Sequence, residues 1–571
     1  MNRNQRRAER KRPNDAVMQE IVERYDRARR AQDAGDFAAA AQGYKKVLSL
    51  WPTHAAARDR LGFVYLRQGR RDKAAEQYAE LVRTVPQVLQ QFEKVLATIA
   101  TLTPEFAAAL EKPVPEDALA SSDFRAIIAD PYLRAVLEAT PVVNLALERW
   151  LTGVRAAMLK AARAGVAVDD AVLTFAASLA QQCFINEYVF SVDAKEEAEA
   201  ERLAASIVDA LADGMIIAPF ALTVAGMYTG LHRLAGAQQL TTQRWPAPVA
   251  AVLTQQVAEP LQEEALRATI PQLTPIRDGV TAAVRQQYEE NPYPRWTRLG
   301  VPPLPLRVLD DYIRQLFPNA SFRPTGARET LEALVAGCGT GRHALELAQG
   351  YHGAHVLAVD ISLSSLAVAK RHTPPQLADK IEFGQADILA LGSIERQFDL
   401  INSTGVLHHM ERSLDGWREL VKLMKPNGLI QIGLYSAQAR RDVVAARKMI
   451  AERGFPPTPE GIRRLRGELI KEGKPYEFMR LTDFFTISEC RDLLFHVHEQ
   501  QFTIPEIKAA LAETNLNFIG FEFSPPEAHR YHHDVFARAG WAATDLDRWD
   551  AYEREQPQLF SGMYIFWAQK K

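Results

Sequence analysis

Leu331-Glu-Ala-Leu-Val-Ala-Gly-Cys-Gly-Thr-Gly-Arg342 reads as an apolar β-strand running into a glycine-rich turn, with a helix beginning near Arg342. Gly337, Gly339 and Gly341 follow a G-x-G-x-G spacing. Glycine permits a tight turn, positive φ and close approach of a ligand to the backbone. A dinucleotide-binding turn needs G-x-G-x-x-G, which would put its third glycine at the position of Arg342. The spacing therefore favours a cofactor that joins a nucleoside to an amino acid, with no pyrophosphate to hold at a helix N-terminus.

Chain length bounds the architecture around this turn. The 571 residues are enough for two or three domains, each with its own core. A hydrophobic fraction of 47% and a charged fraction of 24% are ordinary for a globular chain. The formal net charge of -2 gives no electrostatic reason to expect nucleic acid. Cys183, Cys338 and Cys490 are too far apart in sequence for a disulfide framework or a zinc pattern, which suits a reducing, cytoplasmic setting. Residues 1–15 carry Arg3, Arg6, Arg7, Arg10, Lys11 and Arg12 with no apolar run behind them, and read as a disordered basic tail. The uncharged stretch Gly214 to Leu231 approaches membrane-spanning length, but Pro219, Gly226 and Gly230 make it a buried helix pair, so no membrane partner is expected.

Residues 16–100 repeat with a period of about 34, the tetratricopeptide spacing. Gly35, Ala40, Tyr44 and Pro52 recur as Gly69, Ala74, Tyr78 and Pro86, and Leu61, Gly62 and Tyr65 add the first-helix pattern to the second unit. The segment resembles the tetratricopeptide family over two repeats. Two functions fit: docking of a protein or peptide partner, or a packing cap or dimer surface that would make a homo-oligomer. Residues 101–275 are alanine- and leucine-rich with helical periodicity, and helix starts are expected at Asp130-Pro131 and Thr140-Pro141. Asn186 and Glu187 lie in an apolar run there and read as a hydrogen-bonded structural pair. Residues 276–330 include Gln287-Tyr-Glu-Glu-Asn-Pro-Tyr-Pro-Arg-Trp296, an extended aromatic strap that either covers a ligand or packs as a linker.

From residue 331 to 571, strands alternate with helices, which predicts an α/β domain with a doubly wound parallel sheet. Strands are expected at Leu331, at His355 to Val359, Ile381 to Gln385, Phe398 to Ser403, Leu429 to Leu434, Phe518 to Phe523 and Met563 to Ala568. Lys425-Pro-Asn-Gly428 is expected to end a helix before the fifth strand. Residues 437–517 form a long insertion between the fifth and sixth strands. Its basic first part, with Arg440, Arg441, Arg447, Lys448, Arg463, Arg464 and Arg466, reads as a solvated helical face or as a site for an anionic acceptor.

The series Val-Ala-Gly-Cys-Gly-Thr-Gly341, Val359-Asp360, Gln385-Ala-Asp387, Phe398 through His409 and Lys425-Pro-Asn-Gly428 resembles the class I S-adenosylmethionine-dependent methyltransferases. The resemblance implies a Rossmann-like seven-stranded domain that binds S-adenosyl-L-methionine and transfers its methyl group to a protein or small-molecule acceptor. It implies that Gly337, Cys338, Gly339 and Gly341 shape the turn against the methionine part. Asp360, with Ile361, would bind the ribose hydroxyls; Ala386, Asp387 and Ile388 would hold adenine; Asn402 and Ser403 would lie beside the sulfonium. Asp360 suits its role because a carboxylate accepts two hydroxyl protons at once. Val335 departs from the pattern, since many members carry an acid there.

A sulfonium methyl is already activated, so alignment and water exclusion carry most of the catalysis, and a base is needed only for a protonated acceptor. His408 and His409 are the catalytic candidates, with loop structure as the other reading. Tyr288, Tyr293, Trp296, Tyr435 and His496 are substrate-side candidates, and no metal is expected. His529, His532, His533 and Asp534 form a dense cluster that reads as an exposed or substrate-side loop. The alternative function is a non-catalytic scaffold that binds the cofactor and uses its repeats for interaction. A nicotinamide-dependent oxidoreductase is disfavoured by Arg342.

Overall fold

A computed structural model describes residues 15–115, 117–276, 279–300, 302, 306–474, 476–523, 542–557, 559–560 and 562–571. The basic tail at residues 1–14 and the cluster His529, His532, His533 and Asp534 lie outside them. The chain divides into two compact units, Met1–Pro260 with Thr297–Val301, and Leu261–Trp296 with Pro302–Lys571.

The first unit is helical. Its opening helices, Asp15–Asp33, Phe37–Leu50, Ala55–Arg67 and Arg71–Thr84, make two helix-turn-helix repeats. Gly35 and Gly69 occupy the turns at φ 79° and 74°, which a side chain resists. Ala40, Tyr44, Ala74 and Tyr78 are buried at the helix contacts. Gly62 is required by packing, since a Cβ there would stand 2.8 Å from the Tyr78 ring. Asp130 caps the helix Pro131–Leu137 through Tyr132 N at 2.7 Å, as its sequence predicts. Thr140-Pro141 starts no helix; the next begins at Leu145, because Asn144 supplies the capping oxygen to Leu147 N. Asn186 is buried, but its Oδ1 accepts from Tyr188 N at 3.0 Å and does not bond Glu187. The uncharged stretch forms one seven-residue helix, Pro219–Ala225, with a short turn at Leu231–Arg233, and so is not a helix pair. No helix among the described residues is long and apolar enough to cross a membrane.

The second unit is built on a seven-stranded sheet in the order β3-β2-β1-β4-β5-β7-β6. The strands are β1 Leu331–Ala336, β2 Ala354–Asp360, β3 Ile381–Gln385, β4 Phe398–Thr404, β5 Met424–Tyr435, β6 Leu516–Phe521 and β7 Met563–Lys570. β1 is almost wholly buried, as expected of a strand covered on both faces. The helices Arg342–Gly350, Leu363–His372 and Ser413–Lys422 lie in the crossovers β1–β2, β2–β3 and β4–β5, and the 3-10 segment Ile388–Ile394 lies between β3 and β4. The sheet is not all parallel: β7 runs antiparallel between β5 and β6. Strand-helix alternation specifies crossovers but not where a final strand inserts. Burial decides that here, with Tyr564, Phe566 and Ala568 packed in the core beside Phe521, Trp549 and Phe560. Lys425-Pro-Asn-Gly428 does not precede β5 but lies inside it. The pairing jumps from Phe398↔Met424 to Leu400↔Leu429, and Asn427 takes φ 60°, so the segment is a bulge.

Helices Arg441–Arg453, Pro459–Glu472, Ile487–Phe495 and Ile504–Glu513 fill the insertion between β5 and β6. Its arginines are not a uniformly solvated face. Arg440 and Arg447 bond Glu499 at 2.6 and 2.7 Å, and buried Arg466 donates to Phe484 O while its guanidinium lies over the Phe484 ring. Upstream of the sheet, Pro271–Thr274 lies along the edge of β3, with Leu273 N donating to Gln385 O and Gln385 N to Pro271 O. A side chain at Gly384 would collide with Leu273, so glycine there makes room for this edge.

Candidate functional site

The three glycines of the turn have three separate reasons to lack a side chain. All have positive φ. A Cβ at Gly337 would strike Val406 after β4, one at Gly339 the carbonyl oxygen of Tyr293, and one at Gly341 would press on Ala369 in the helix Leu363–His372. The turn is thus packed by the protein on several sides, and Gly337 and Gly339 still face a cavity. The amides of Gly337 and Cys338 both donate to Val359 O at 2.9 Å, which ties the turn to β2.

Asp360, at the carboxyl end of β2, is the electrostatic centre of this face. Its Oδ2 accepts from Gly339 N at 2.8 Å and its Oδ1 from Ser362 N at 2.9 Å. Each oxygen keeps a second lone pair, so the carboxylate can still accept two hydroxyls. Burial raises its pKa to about 6 in spite of those amide bonds. One strand later, Asp387 is buried; its Oδ1 accepts from Leu389 N, and its own amide donates to Thr274 Oγ1 at 2.8 Å. Thr274 belongs to the edge segment and had no recognisable motif in the sequence.

A cavity of about 390 Å³ joins these groups. Its wall includes Gly337, Cys338, Gly339, Asp360, Ile361, Ala386, Asp387 and Ile388 on one side, and Tyr288, Tyr293, Tyr435 and His409 on the other. Val284, Val406 and Met410 add apolar lining, and Arg342, His343 and Glu346 of the helix after the turn add charged and polar groups. A cleft of this size is typical of small-molecule sites. Burial pushes the Cys338 thiol well above its ordinary pKa, so it is a small packed group and not a nucleophile.

Six sequence candidates stand outside the wall. Gly341 faces Ala369. Ser403 points into the sheet and donates to Ala336 O. Asn402 donates from Nδ2 to Gln431, which in turn donates to Glu522, so its side chain serves a network across the strands. Thr404 and Gly405, one pleat further, reach the cavity instead. Trp296 docks on the turn from outside, with Nε1 donating to Thr340 Oγ1 at 3.0 Å and its ring edge-on to His372. His408 is fully buried behind His409 and Tyr435, with ring centroids 4.2 and 4.0 Å away. His496 is packed parallel on His409 at 3.7 Å and does not reach the wall.

The strap is fixed to the glycine turn by hydrogen bonds. Thr340 N donates to Tyr293 O and Thr340 Oγ1 to Pro294 O at 2.6 Å. Glu289, on the helix Val280–Glu290, accepts from Leu363 N, Ser364 N and Ser364 Oγ, and so caps the helix that follows Asp360. Half-buried Tyr288 donates to Asp492 Oδ1 at 2.7 Å; desolvation first, and then Asp492, hold its phenol well above the ordinary pKa. His409 Nδ1 lies 3.0 Å from His498 O and must donate to it, which leaves the lone pair on Nε2. Burial lowers the pKa of His409, so the ring is neutral at pH 7.

This geometry agrees with what known proteins show. Residues 334–432 match the family profile described as a methyltransferase domain, and residues 31–102 match one described as a tetratricopeptide repeat. The C-terminal domain is therefore a class I methyltransferase domain, whose cofactor is S-adenosylmethionine, and tetratricopeptide repeats precede it. An uncharacterised Synechococcus protein, syc1184_c, is 29% identical over 43% of this chain and 60% of its own length. The magnesium-protoporphyrin O-methyltransferase of Rhodobacter capsulatus is 41% identical over 18% of this chain and 41% of its own length. Among solved structures, PKMT2 of Rickettsia typhi in complex with AdoHcy is 18% identical over 47% of this chain and 55% of that one, with a TM-score of 0.36. The chain thus spans 60% or less of the length of these relatives.

Proposed function

We propose that this protein is an S-adenosylmethionine-dependent methyltransferase acting on a protein or small-molecule acceptor that enters beside Tyr288, Tyr293, Tyr435 and His409. The observation that carries the reading is one cavity lined by the glycine turn, Asp360 and Asp387 on one side and by a neutral histidine on the other. When bound, the cofactor supplies a methyl group activated on a sulfonium. Asp360 would hold the two ribose hydroxyls with its remaining lone pairs, and Ile388 and Asp387 would hold the adenine. The strap excludes water by covering the turn. His409 takes the proton of an acceptor that has one to lose.

The repeats of the first unit serve a protein partner in this reading, which makes a protein acceptor a natural candidate. Three buried cysteines without disulfides fit a reducing, cytoplasmic setting. The test is label transfer from methyl-tritiated S-adenosylmethionine into size-fractionated lysate. Label in a macromolecular or a small-molecule fraction identifies the acceptor class. Tight cofactor binding with no label in any fraction overturns catalysis in favour of a scaffold. Calorimetry in which NAD binds and S-adenosylmethionine does not would overturn the cofactor.

A further inference from the structure

Behind His409 stands a buried group that the cofactor site does not use. His496 Nδ1 accepts from His498 N at 3.0 Å, so its proton is on Nε2, which lies 3.2 Å from the Tyr288 hydroxyl. That hydroxyl donates onward to Asp492. The backbone of His498 therefore sets both rings: its carbonyl fixes the tautomer of His409, and its amide fixes that of His496. His409, Asp492 and His496 each bring one nitrogen or oxygen within 4.8 Å of the others, which is the composition of a metal site. The proton on Nε2 of His496 removes the lone pair a metal would need there. The cluster is arranged to handle protons.

The charges around His409 point the same way. It faces His408, Tyr435 and His496, with Arg447, Glu499 and Asp492 acting on it and Arg440 acting on its neighbour His408, and Tyr288 packs on the far ring, His496. Arg440 and Arg447 share the single carboxylate of Glu499, both paired within 2.7 Å. Asp492 is the second anion of this set, and it is buried. A proton arriving on His409 adds a positive charge where two guanidiniums already stand, and a carboxylate within 4.8 Å offsets it.

We propose that Asp492 is a positioning residue for methyl transfer, orienting Tyr288 and His496 around His409 and offsetting the charge of its imidazolium. The proposal rests on the reading of His409 as the proton acceptor. In the step it serves, the bond from acceptor atom to methyl carbon forms while the carbon–sulfur bond breaks and its electron pair stays on sulfur. The acceptor's proton goes to His409 Nε2 and later to solvent. Such a device has a task only if the acceptor's nucleophilic atom carries a proton. The acceptor's nucleophilic atom is therefore one that carries a proton, as in a hydroxyl, an N–H, a thiol or an acidic C–H, and not a carboxylate oxygen.

The test is a pH titration of histidine-labelled full-length protein by 15N NMR, with the His409 signal assigned through its loss in H409Q. Replacing Asp492 by Asn should lower the His409 midpoint by about one pH unit, since the carboxylate favours the charged ring. D492E should restore it, and calorimetric affinity for S-adenosylmethionine should stay within twofold in both variants. An unchanged midpoint in D492N overturns the proposal, as does loss of cofactor affinity in step with the midpoint, which would mark Asp492 as merely structural. If D492N does not fold, Y288F takes its place: it cuts the bridge to Asp492, and an unaltered His496 signal and His409 midpoint overturn the proposal. Failure of the methyltransferase reading looks different: the wild type would then bind no cofactor, or bind it and label no fraction, while the coupling of His409 to Asp492 stayed measurable.

Discussion

The backbone carbonyl of Tyr293 occupies the space that a side chain on Gly339 would need. The middle glycine of the turn is thus the seat of the strap as much as a place for a ligand to approach. Gly339→Ala should lift the strap and impose a side chain at φ 50°. S-adenosylmethionine affinity by calorimetry should fall at least about tenfold, or about 1.4 kcal/mol. Unchanged affinity would show that strap and cofactor are independent.

Asp360 links cofactor affinity to pH. Its folded pKa of about 6 lies above its unfolded value of 3.8, so the folded apoprotein binds the extra proton between the two. Its contribution to apoprotein stability is full below the unfolded value and is lost as pH rises through 6. Cofactor hydroxyls need the ionised form, so affinity should fall roughly tenfold per pH unit below 6 and level off above it. The thermal shift given by S-adenosylmethionine should therefore be larger at pH 7 than at pH 5. Asp360→Ala should weaken binding more than His409→Ala; the opposite order would contradict the roles assigned to them.

Glu499 holds two guanidiniums, that of Arg440 buried and that of Arg447 half-buried, and its removal should be costly. Its side chain is 1% exposed. Burial alone would raise its pKa, but Arg440 and Arg447 outweigh that and hold it below the ordinary glutamate value. Stability from this group is present above its unfolded pKa and lost as pH falls through the lower folded one. Glu499→Gln should cost about 3–5 kcal/mol in denaturant unfolding, because two cations lose their counter-charge. A loss under about 1 kcal/mol would mean that the pair is dispensable.

Glu289 caps the helix after Asp360 from a different segment of the chain. Glu289→Gln keeps the shape but removes the charge from three hydrogen bonds at Leu363 and Ser364. About 1–3 kcal/mol of stability should be lost, together with several-fold in cofactor affinity. Equal melting temperatures for wild type and variant would count against the strap as a structural clamp.

Gly62→Val tests the repeats alone. The added atoms meet the Tyr78 ring, a far end that can give only by leaving a buried position. Overpacking of this kind should lower stability by about 1–3 kcal/mol, read as a melting transition of the first unit. A melt like the wild type's would mean that the two helices separate without cost.

Much of this protein was legible in its residues because the signals are local. The continuous apolar runs of β1 and β4, the glycine turn, the carboxylate ending β2 and the repeated Gly-Ala-Tyr pattern each follow from a few neighbouring side chains. So does the cap at Thr503, whose capping box with Glu506 starts the helix Ile504–Glu513. Local signals misled where a distant partner decides. Lys425-Pro-Asn-Gly428 carries the composition of a helix breaker, yet pairing with Phe398 and Leu400 makes it a bulge. The strand β7 has no sequence mark that tells it to run antiparallel between β5 and β6.

By itself the sequence determined the class of fold, the kind of cofactor and which carboxylates end β2 and β3, since these depend on residue type and spacing along single elements. Tertiary structure alone decided which of the paired histidines faces the cavity, because His408 and His409 differ only in what packs behind them. It decided that Arg440 and Arg447 of the insertion converge on Glu499 and that Asp492, 204 positions from Tyr288, accepts from its hydroxyl. Those relationships join elements far apart in the chain, and their energy exists only once burial removes water from between them.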